Sequence, residues 1–111
     1  PGTEAQLLKG LEAGNSGVIS ATCNVTATLA RKVFDDFEKK NKQTHNEKLI
    51  LVREAFNKFN LISALHSYLS IKDKNFKNLL PPLVLLNTEE RKELMKKLED
   101  LKFVDKENLA A

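Results

Sequence analysis

The sequence predicts a mostly helical chain of the α/β class, with one short strand among several amphipathic helices. Two observations support this. Apolar residues recur every three or four positions through most of the chain, which is the spacing of a helix face packed on a core. Residues 17–20 instead form a short apolar run bounded by turn-forming residues, and such a run is typical of a buried strand.

The first helix is predicted between Glu4 and Ala13. Thr3 and Gln6 have the spacing of a capping box at its start, and Gly14 is placed to end it. The strand follows directly. A second helix begins near Thr26, after the small polar residues that follow the strand.

Three more helices are predicted. One follows the polar break at residues 41–47, and the next, over residues 61–70, is more apolar. Residues 71–78 read as a loop, and the proline pair after them excludes regular helix. The last helix opens at Asn87, with Glu90 completing a capping box. The tail from residue 105 is predicted to fray. The inward apolar residues include Leu29, Val33, Phe37, Leu49, Val52, Phe56, Phe59, Leu94, Leu98 and Leu101.

The composition narrows the function classes. No apolar run reaches the ~20 residues that a membrane helix needs, so we expect no membrane partner. The net charge of +3 comes mostly from lysines scattered among acidic residues, which argues against a nucleic-acid surface. The single cysteine, Cys23, allows no internal disulfide and favours a reducing, cytoplasmic compartment. His45 and His66 fall on separate helices, so no metal site is predicted.

The lone strand raises a difficulty. One strand cannot form a sheet, because its backbone N–H and C=O groups would lack partners. Either another copy of the chain pairs with it, or its sheet lies in sequence outside these 111 residues. The chain also begins with Pro1 rather than Met, so we expect a processed product or part of a longer protein.

Several segments resemble the pyruvate-dependent class I aldolases, the family of dihydrodipicolinate synthase and N-acetylneuraminate lyase. Residues 7–25, LLKGLEAGNSGVISATCNV, resemble the seventh helix and eighth strand of that family. Residues 60–70, NLISALHSYLS, resemble a later helix, and residues 79–101 resemble its Pro-Pro-Leu segment and last helix. The resemblance covers nearly the whole chain, from about Gly2 to Phe103.

The resemblance implies a C-terminal fragment of a (β/α)8 TIM barrel with a C-terminal helical extension. A complete barrel needs ~250 residues, so this chain would be only part of one. Residues 1–42 would hold the last βα units: the end of strand 7, helix 7, strand 8 and helix 8. Residues 43–111 would form the extension. The upstream strands would then supply the missing neighbours of the lone strand.

The resemblance also implies a Schiff-base lyase that acts on pyruvate and a small aldehyde, without a cofactor and as a homo-oligomer. The catalytic Lys and Tyr of the family would lie upstream of Pro1. The only tyrosine, Tyr68, is predicted to pack within the extension, and the lysines lie on polar helix faces. We therefore expect no catalytic residue in this chain and no aldolase activity from it alone.

Three substrate-binding positions are implied by the resemblance: Gly2, Ile19 and Glu4. Gly2 would place its backbone beside the substrate, and Ile19 would give an apolar wall near the Schiff base. Glu4 would either contact the polar end of the second substrate or complement the helix dipole. Ala5 and Ala21 lack the polar groups that sialic-acid lyases use there, which favours the branch of dihydrodipicolinate synthase. The alternative function is a non-enzymatic helical interaction module.

Overall fold

The computed structural model describes residues 1–104, and the tail predicted to fray from residue 105 lies outside them. Among the described residues, no helix combines the length and the apolarity needed to cross a membrane. Short 3₁₀ helices cover Glu4–Gln6 and Lys74–Lys77. The α-helices are α1 (Leu7–Glu12), α2 (Cys23–Glu38), α3 (Asn46–Asn57), α4 (Leu61–Leu69) and α5 (Thr88–Asp100).

The chain divides into two compact units. The first covers Pro1–Arg53, and the second begins at Glu54. In the first unit, α1 packs against α2. Their buried apolar residues are Leu7, Leu11, Leu29, Ala30 and Val33. The predicted inward residues Leu29 and Val33 of α2 are therefore confirmed as buried.

The start of the first helix differs from the predicted capping box. Thr3 Oγ1 accepts a hydrogen bond from the backbone N–H of Ala5 at 3.3 Å, and not from that of Gln6. The first turn is a 3₁₀ turn, which brings a nearer N–H toward the capping oxygen. Gly14 has the role predicted for it, since its φ of 97° lies in the left-handed region that glycine adopts at low cost.

The predicted strand does not form: residues 1–104 contain five α-helices and no strand. Residues 15–20 have no regular secondary structure, and the Ile19 N–H donates to the Pro1 carbonyl at 3.1 Å. A strand needs a repeated ladder of such bonds with a neighbour, and the first residues of the chain do not supply one. The following helix starts at Cys23, earlier than the predicted Thr26.

In the second unit, α4 packs against α5. Tyr68 packs as predicted, with its ring centroid 5.7 Å from that of Phe56 in an edge-to-face arrangement. The Ser67 hydroxyl accepts a hydrogen bond from the Leu86 N–H at 3.0 Å, which fixes the segment after the proline pair on α4. His66 also has a structural contact, because its Nδ1 lies 2.7 Å from the Phe76 carbonyl oxygen.

The capping box predicted for the last helix is confirmed. The Asn87 side chain accepts from the Glu90 N–H at 2.8 Å, and the Glu90 carboxylate accepts from the Asn87 N–H at 3.1 Å. Both bonds satisfy N–H groups that have no partner within the helix. They fix the first turn of α5, whose Leu94 and Leu98 are buried.

Replacing Asn87 with alanine is expected to lower the free energy of unfolding by about 1 kcal/mol, because one helix N–H loses its acceptor. Urea denaturation at neutral pH measures this loss. The matched control is Thr88→Ala, at the exposed neighbouring position, which should change the free energy by less than about 0.5 kcal/mol. Equal losses in both variants would show that the cap contributes nothing specific.

Candidate functional site

Glu4 is a fully buried carboxylate in the first unit. Its Oε1 atom accepts hydrogen bonds from the hydroxyls of Ser20, at 3.0 Å, and Thr22. Its Oε2 atom accepts from the hydroxyl of Thr26 at 2.5 Å. We call Glu4, Ser20, Thr22, Thr26 and Arg53 the Glu4 cluster. The three hydroxyls replace the water that an exposed carboxylate would bind, so the burial of Glu4 is compensated.

Arg53, on α3, supplies the opposite charge. Its Nη1 atom lies 2.9 Å from Glu4 Oε1, 2.8 Å from Ser20 Oγ and 2.6 Å from Thr22 Oγ1. The Arg53 side chain is 12% exposed and that of Glu4 is 0% exposed, so solvent screens this ion pair weakly. One nitrogen atom therefore connects three oxygens that come from two separate segments of the chain.

The local sequence explains how these groups meet. Thr22 and Thr26 are four residues apart, one helical turn, so their hydroxyls lie on the same side of the start of α2. Arg53 follows the fully buried Leu49 by four residues, which places it on the inward side of α3. Glu4 lies in the first turn of the first helix, next to both.

The environment sets the ionisation of the two acidic groups. Burial alone would raise the pKa of Glu4, but hydrogen bonds from Thr22, Thr26, its own backbone N–H and Arg53 lower the pKa to about 2. Glu4 is therefore ionised at neutral pH. Burial, together with the nearby Glu4 charge, raises the pKa of the Cys23 thiol, whose sulfur lies 3.6 Å from Glu4 Oε2. Cys23 is therefore a poor nucleophile at neutral pH.

The lowered pKa predicts acid-sensitive stability. Because the pKa of Glu4 is about 2 in the folded state against 4.5 ordinarily, its contribution is complete above pH 4.5 and is lost as the pH falls toward 2. One pKa unit corresponds to about 1.4 kcal/mol, so this contribution is about 3 kcal/mol. Urea denaturation at pH values from 7 to 2 measures it.

The Glu4→Gln variant lacks the stabilisation that the ionised Glu4 carboxylate gives to the folded state. The stability difference between wild type and variant should therefore narrow as the pH falls below 4.5. The matched control is Glu12→Gln, at an exposed position of the same unit, which should retain the acid-dependent loss of wild type. A constant difference between wild type and Glu4→Gln at all pH values would contradict the assigned role of Glu4.

The three predicted substrate-binding residues have two different environments. Gly2 is exposed, and a Cβ atom built there would meet nothing within 4 Å. Ile19 is also exposed, with 91% of its surface accessible. The bond from the Ile19 N–H to the Pro1 carbonyl brings these two segments side by side. Glu4 has no exposed surface, and its carboxylate is occupied by side chains of this chain.

Arg53 is the member of the cluster most distant in sequence from the others, and sequence reasoning did not identify it as a site residue. The available signal was a charged residue between the apolar residues Val52 and Phe56, at a helical position that shares a face with Leu49. Such a charge needs an opposite charge nearby. Glu4 carries such an opposite charge, but it lies 49 residues from Arg53 in sequence, and the sequence alone does not show that the two residues pair. Within residues 1–104, no three His, Cys, Asp or Glu residues are grouped to hold a metal ion.

A comparison with protein-family models gives a match over most of the chain. The model of the dihydrodipicolinate synthetase family matches residues 1–101. The chain belongs to the dihydrodipicolinate synthetase family. This confirms the resemblance on which the predicted barrel origin was based. A search of the curated proteins found no match.

Two solved structures from the family show the same fold over this region. YagE, a prophage protein of Escherichia coli K12 crystallised in complex with pyruvate, matches 93% of the chain with a TM-score of 0.80 and 17% identity. Dihydrodipicolinate synthase DapA-2 of Bacillus anthracis matches 95% with a TM-score of 0.76 and 18% identity. The chain spans 36% of the length of each. The described helices therefore correspond to one part of a TIM-barrel family protein.

Proposed function

We propose that this chain is the C-terminal part of a Schiff-base-forming lyase that acts on pyruvate and a small aldehyde. The observation that carries the proposal is the family match over residues 1–101. The complex of YagE with pyruvate supports pyruvate as the first substrate. In this proposal, residues 1–42 complete the barrel, residues 43–111 form the helical extension, and the complete protein is a cytoplasmic homo-oligomer.

The proposed chemistry starts with a lysine upstream of Pro1. Its amine attacks the carbonyl carbon of pyruvate, and loss of water gives a protonated Schiff base. Removal of a proton from the pyruvate methyl group then gives an enamine. The enamine carbon attacks the aldehyde carbonyl carbon: a new carbon–carbon bond forms, the carbonyl oxygen takes up a proton, and water hydrolyses the regenerated Schiff base to release the product and the lysine. The reverse sequence cleaves that bond. In this proposal, residues of the present chain surround the bound substrate, and none of them reacts with it.

Gly2 and Ile19 are the residues that we place against pyruvate. Ile19 is an apolar side chain with 91% of its surface exposed in this chain, so it is accessible to the apolar part of a substrate. Gly2 leaves room beside its backbone because it has no side chain. The Ile19–Pro1 hydrogen bond is the kind of contact that adjacent strands 7 and 8 would continue in a barrel.

The second substrate is proposed to be a small aldehyde such as aspartate semialdehyde. Ala5 and Ala21 offer no polar side chain to a sugar acid. The Glu4 carboxylate already accepts hydrogen bonds at both oxygen atoms, so we place it outside the surface that contacts the substrate. This favours a substrate without a long polyhydroxylated tail.

The test is chemical trapping with pyruvate and borohydride, followed by mass spectrometry of the intact protein and of its peptides. Borohydride reduces the Schiff base to a stable amine. The complete protein that contains this chain should carry one pyruvate adduct, on a lysine upstream of Pro1. The 111-residue chain, tested as a matched control, should carry none. An adduct within residues 1–111 would refute the assignment, and its absence from the complete protein would favour the helical interaction module.

A further inference from the structure

The Glu4 cluster connects the two segments that carry the proposed pyruvate-binding residues. Glu4 lies two residues after Gly2, and Ser20 directly follows Ile19. Arg53 Nη1 contacts both Glu4 Oε1, at 2.9 Å, and Ser20 Oγ, at 2.8 Å. Apart from the backbone through α1 and the single bond from the Ile19 N–H to the Pro1 carbonyl, these side-chain contacts and the Ser20–Glu4 bond hold the two segments together.

We propose that Arg53 is a positioning residue for the pyruvate pocket, which it serves by fixing the segment of Ile19 against the segment of Gly2. This inference rests on the proposed function. Arg53 itself does not touch pyruvate. It acts through Glu4, Ser20 and Thr22, and these residues set the position of the two backbone segments.

The geometry explains why an arginine on α3 suits this role. Residues 15–20 have no regular secondary structure, so repeated backbone hydrogen bonds do not fix them within this chain. Arg53 comes from a 12-residue helix, which is a firmer support. Its contacts are charge-assisted hydrogen bonds, which are stronger than neutral ones.

The partners of the two carboxylate oxygen atoms of Glu4 indicate which segment of the chain depends most on Arg53. Thr26 and Cys23 contact the Oε2 atom of Glu4, whereas Oε1 is contacted by Arg53, Ser20 and Thr22. Loss of Arg53 therefore leaves Glu4 bound to α2 through Thr22 and Thr26, and to Ser20 through one neutral hydroxyl bond. The Ser20 hydroxyl loses its charged donor, so the adjacent Ile19 should shift more than Gly2.

The test uses the complete protein and separates positioning from stability. Arg53→Met alone leaves a buried, unpaired carboxylate and can impair folding, so the informative variant is the double substitution Glu4→Gln/Arg53→Met. Arg53→Lys keeps the positive charge but has one nitrogen on a flexible stem, and it should partly rescue the defect. The matched control is Arg31→Met, at a side chain that is 69% exposed.

In the double variant, the KM for pyruvate should rise about tenfold while kcat changes less than about threefold, because Gly2 and Ile19 bind pyruvate and do not react with it. The exchange of the Ile19 amide hydrogen, measured by NMR, should accelerate at least about tenfold as its bond to Pro1 weakens. Arg31→Met should change neither quantity.

Failure of the positioning role and failure of the proposed function would give different results in this experiment. A double variant with wild-type KM and wild-type Ile19 exchange would overturn the inference while leaving the proposed function intact, because Arg53 would then serve only to neutralise Glu4. A wild-type complete protein that forms no pyruvate adduct would overturn the proposed function and, with it, the positioning role. Raised KM and faster Ile19 exchange together would support the inference.

Discussion

Replacing Arg53 with methionine is expected to lower the free energy of unfolding by about 3–5 kcal/mol at pH 7, because the buried Glu4 carboxylate loses its opposite charge. The side chain of Glu4 has no exposed surface, so water cannot compensate for this loss. Folded proteins are typically stable by about 5–15 kcal/mol, so the variant should unfold at much lower urea concentrations. Equilibrium urea denaturation, followed by circular dichroism, measures the effect.

Two further variants identify the cause of that loss. Arg31→Met removes an exposed ion pair with Asp35 and should cost less than about 1 kcal/mol. Glu4→Gln/Arg53→Met removes both charges, and should regain most of the stability that Arg53→Met loses. If Arg53→Met and Arg31→Met were equally stable, the ion pair with Glu4 would not support the fold. If the double variant were no more stable than Arg53→Met, the unpaired charge would not be the cause.

Replacing Phe56 with alanine is expected to cost about 3–5 kcal/mol, because it removes a large apolar side chain and leaves a cavity. Phe56 is fully buried and makes an edge-to-face contact with Tyr68 at a centroid distance of 5.7 Å. The control on the same helix is Leu51→Ala, at a residue that is 36% exposed, which should cost clearly less. Urea denaturation of both variants, compared with wild type, gives the two values.

Phe56→Leu refines this prediction. It keeps much of the buried volume but removes the aromatic contact with Tyr68, so its cost should be intermediate. An equal cost for Phe56→Ala and Leu51→Ala would contradict the assignment of Phe56 to the core of the second unit.

The helices could be predicted from the sequence because their determinants are local. Leu29 and Val33, or Leu94 and Leu98, lie one turn apart, and their spacing alone defines the buried side of each helix. The capping box of Asn87 and Glu90 could also be predicted, since both of its hydrogen bonds join residues only three positions apart. Gly14 ended the first helix for an equally local reason, its positive φ.

The strand and the Glu4 cluster depend on partners that are distant in sequence. The apolar run at residues 17–20 has the composition of a strand, but a strand forms only where a neighbouring backbone is present. Glu4 was identified as a site residue by resemblance, whereas its burial arises from Thr22, Thr26 and Arg53. The pattern of one helix does not show which distant charge its partly buried arginine will meet.

The central claim is that Gly2 and Ile19 line a pyruvate pocket whose reacting lysine lies upstream of Pro1. A crystal structure of the complete protein, after reaction with pyruvate and reduction with borohydride, tests this most directly. We predict a reduced adduct on a lysine outside residues 1–111, with the Gly2 backbone and the Ile19 side chain in contact with its three-carbon unit. An adduct whose three-carbon unit contacts neither Gly2 nor Ile19, or one attached to a lysine of this chain, would contradict the claim.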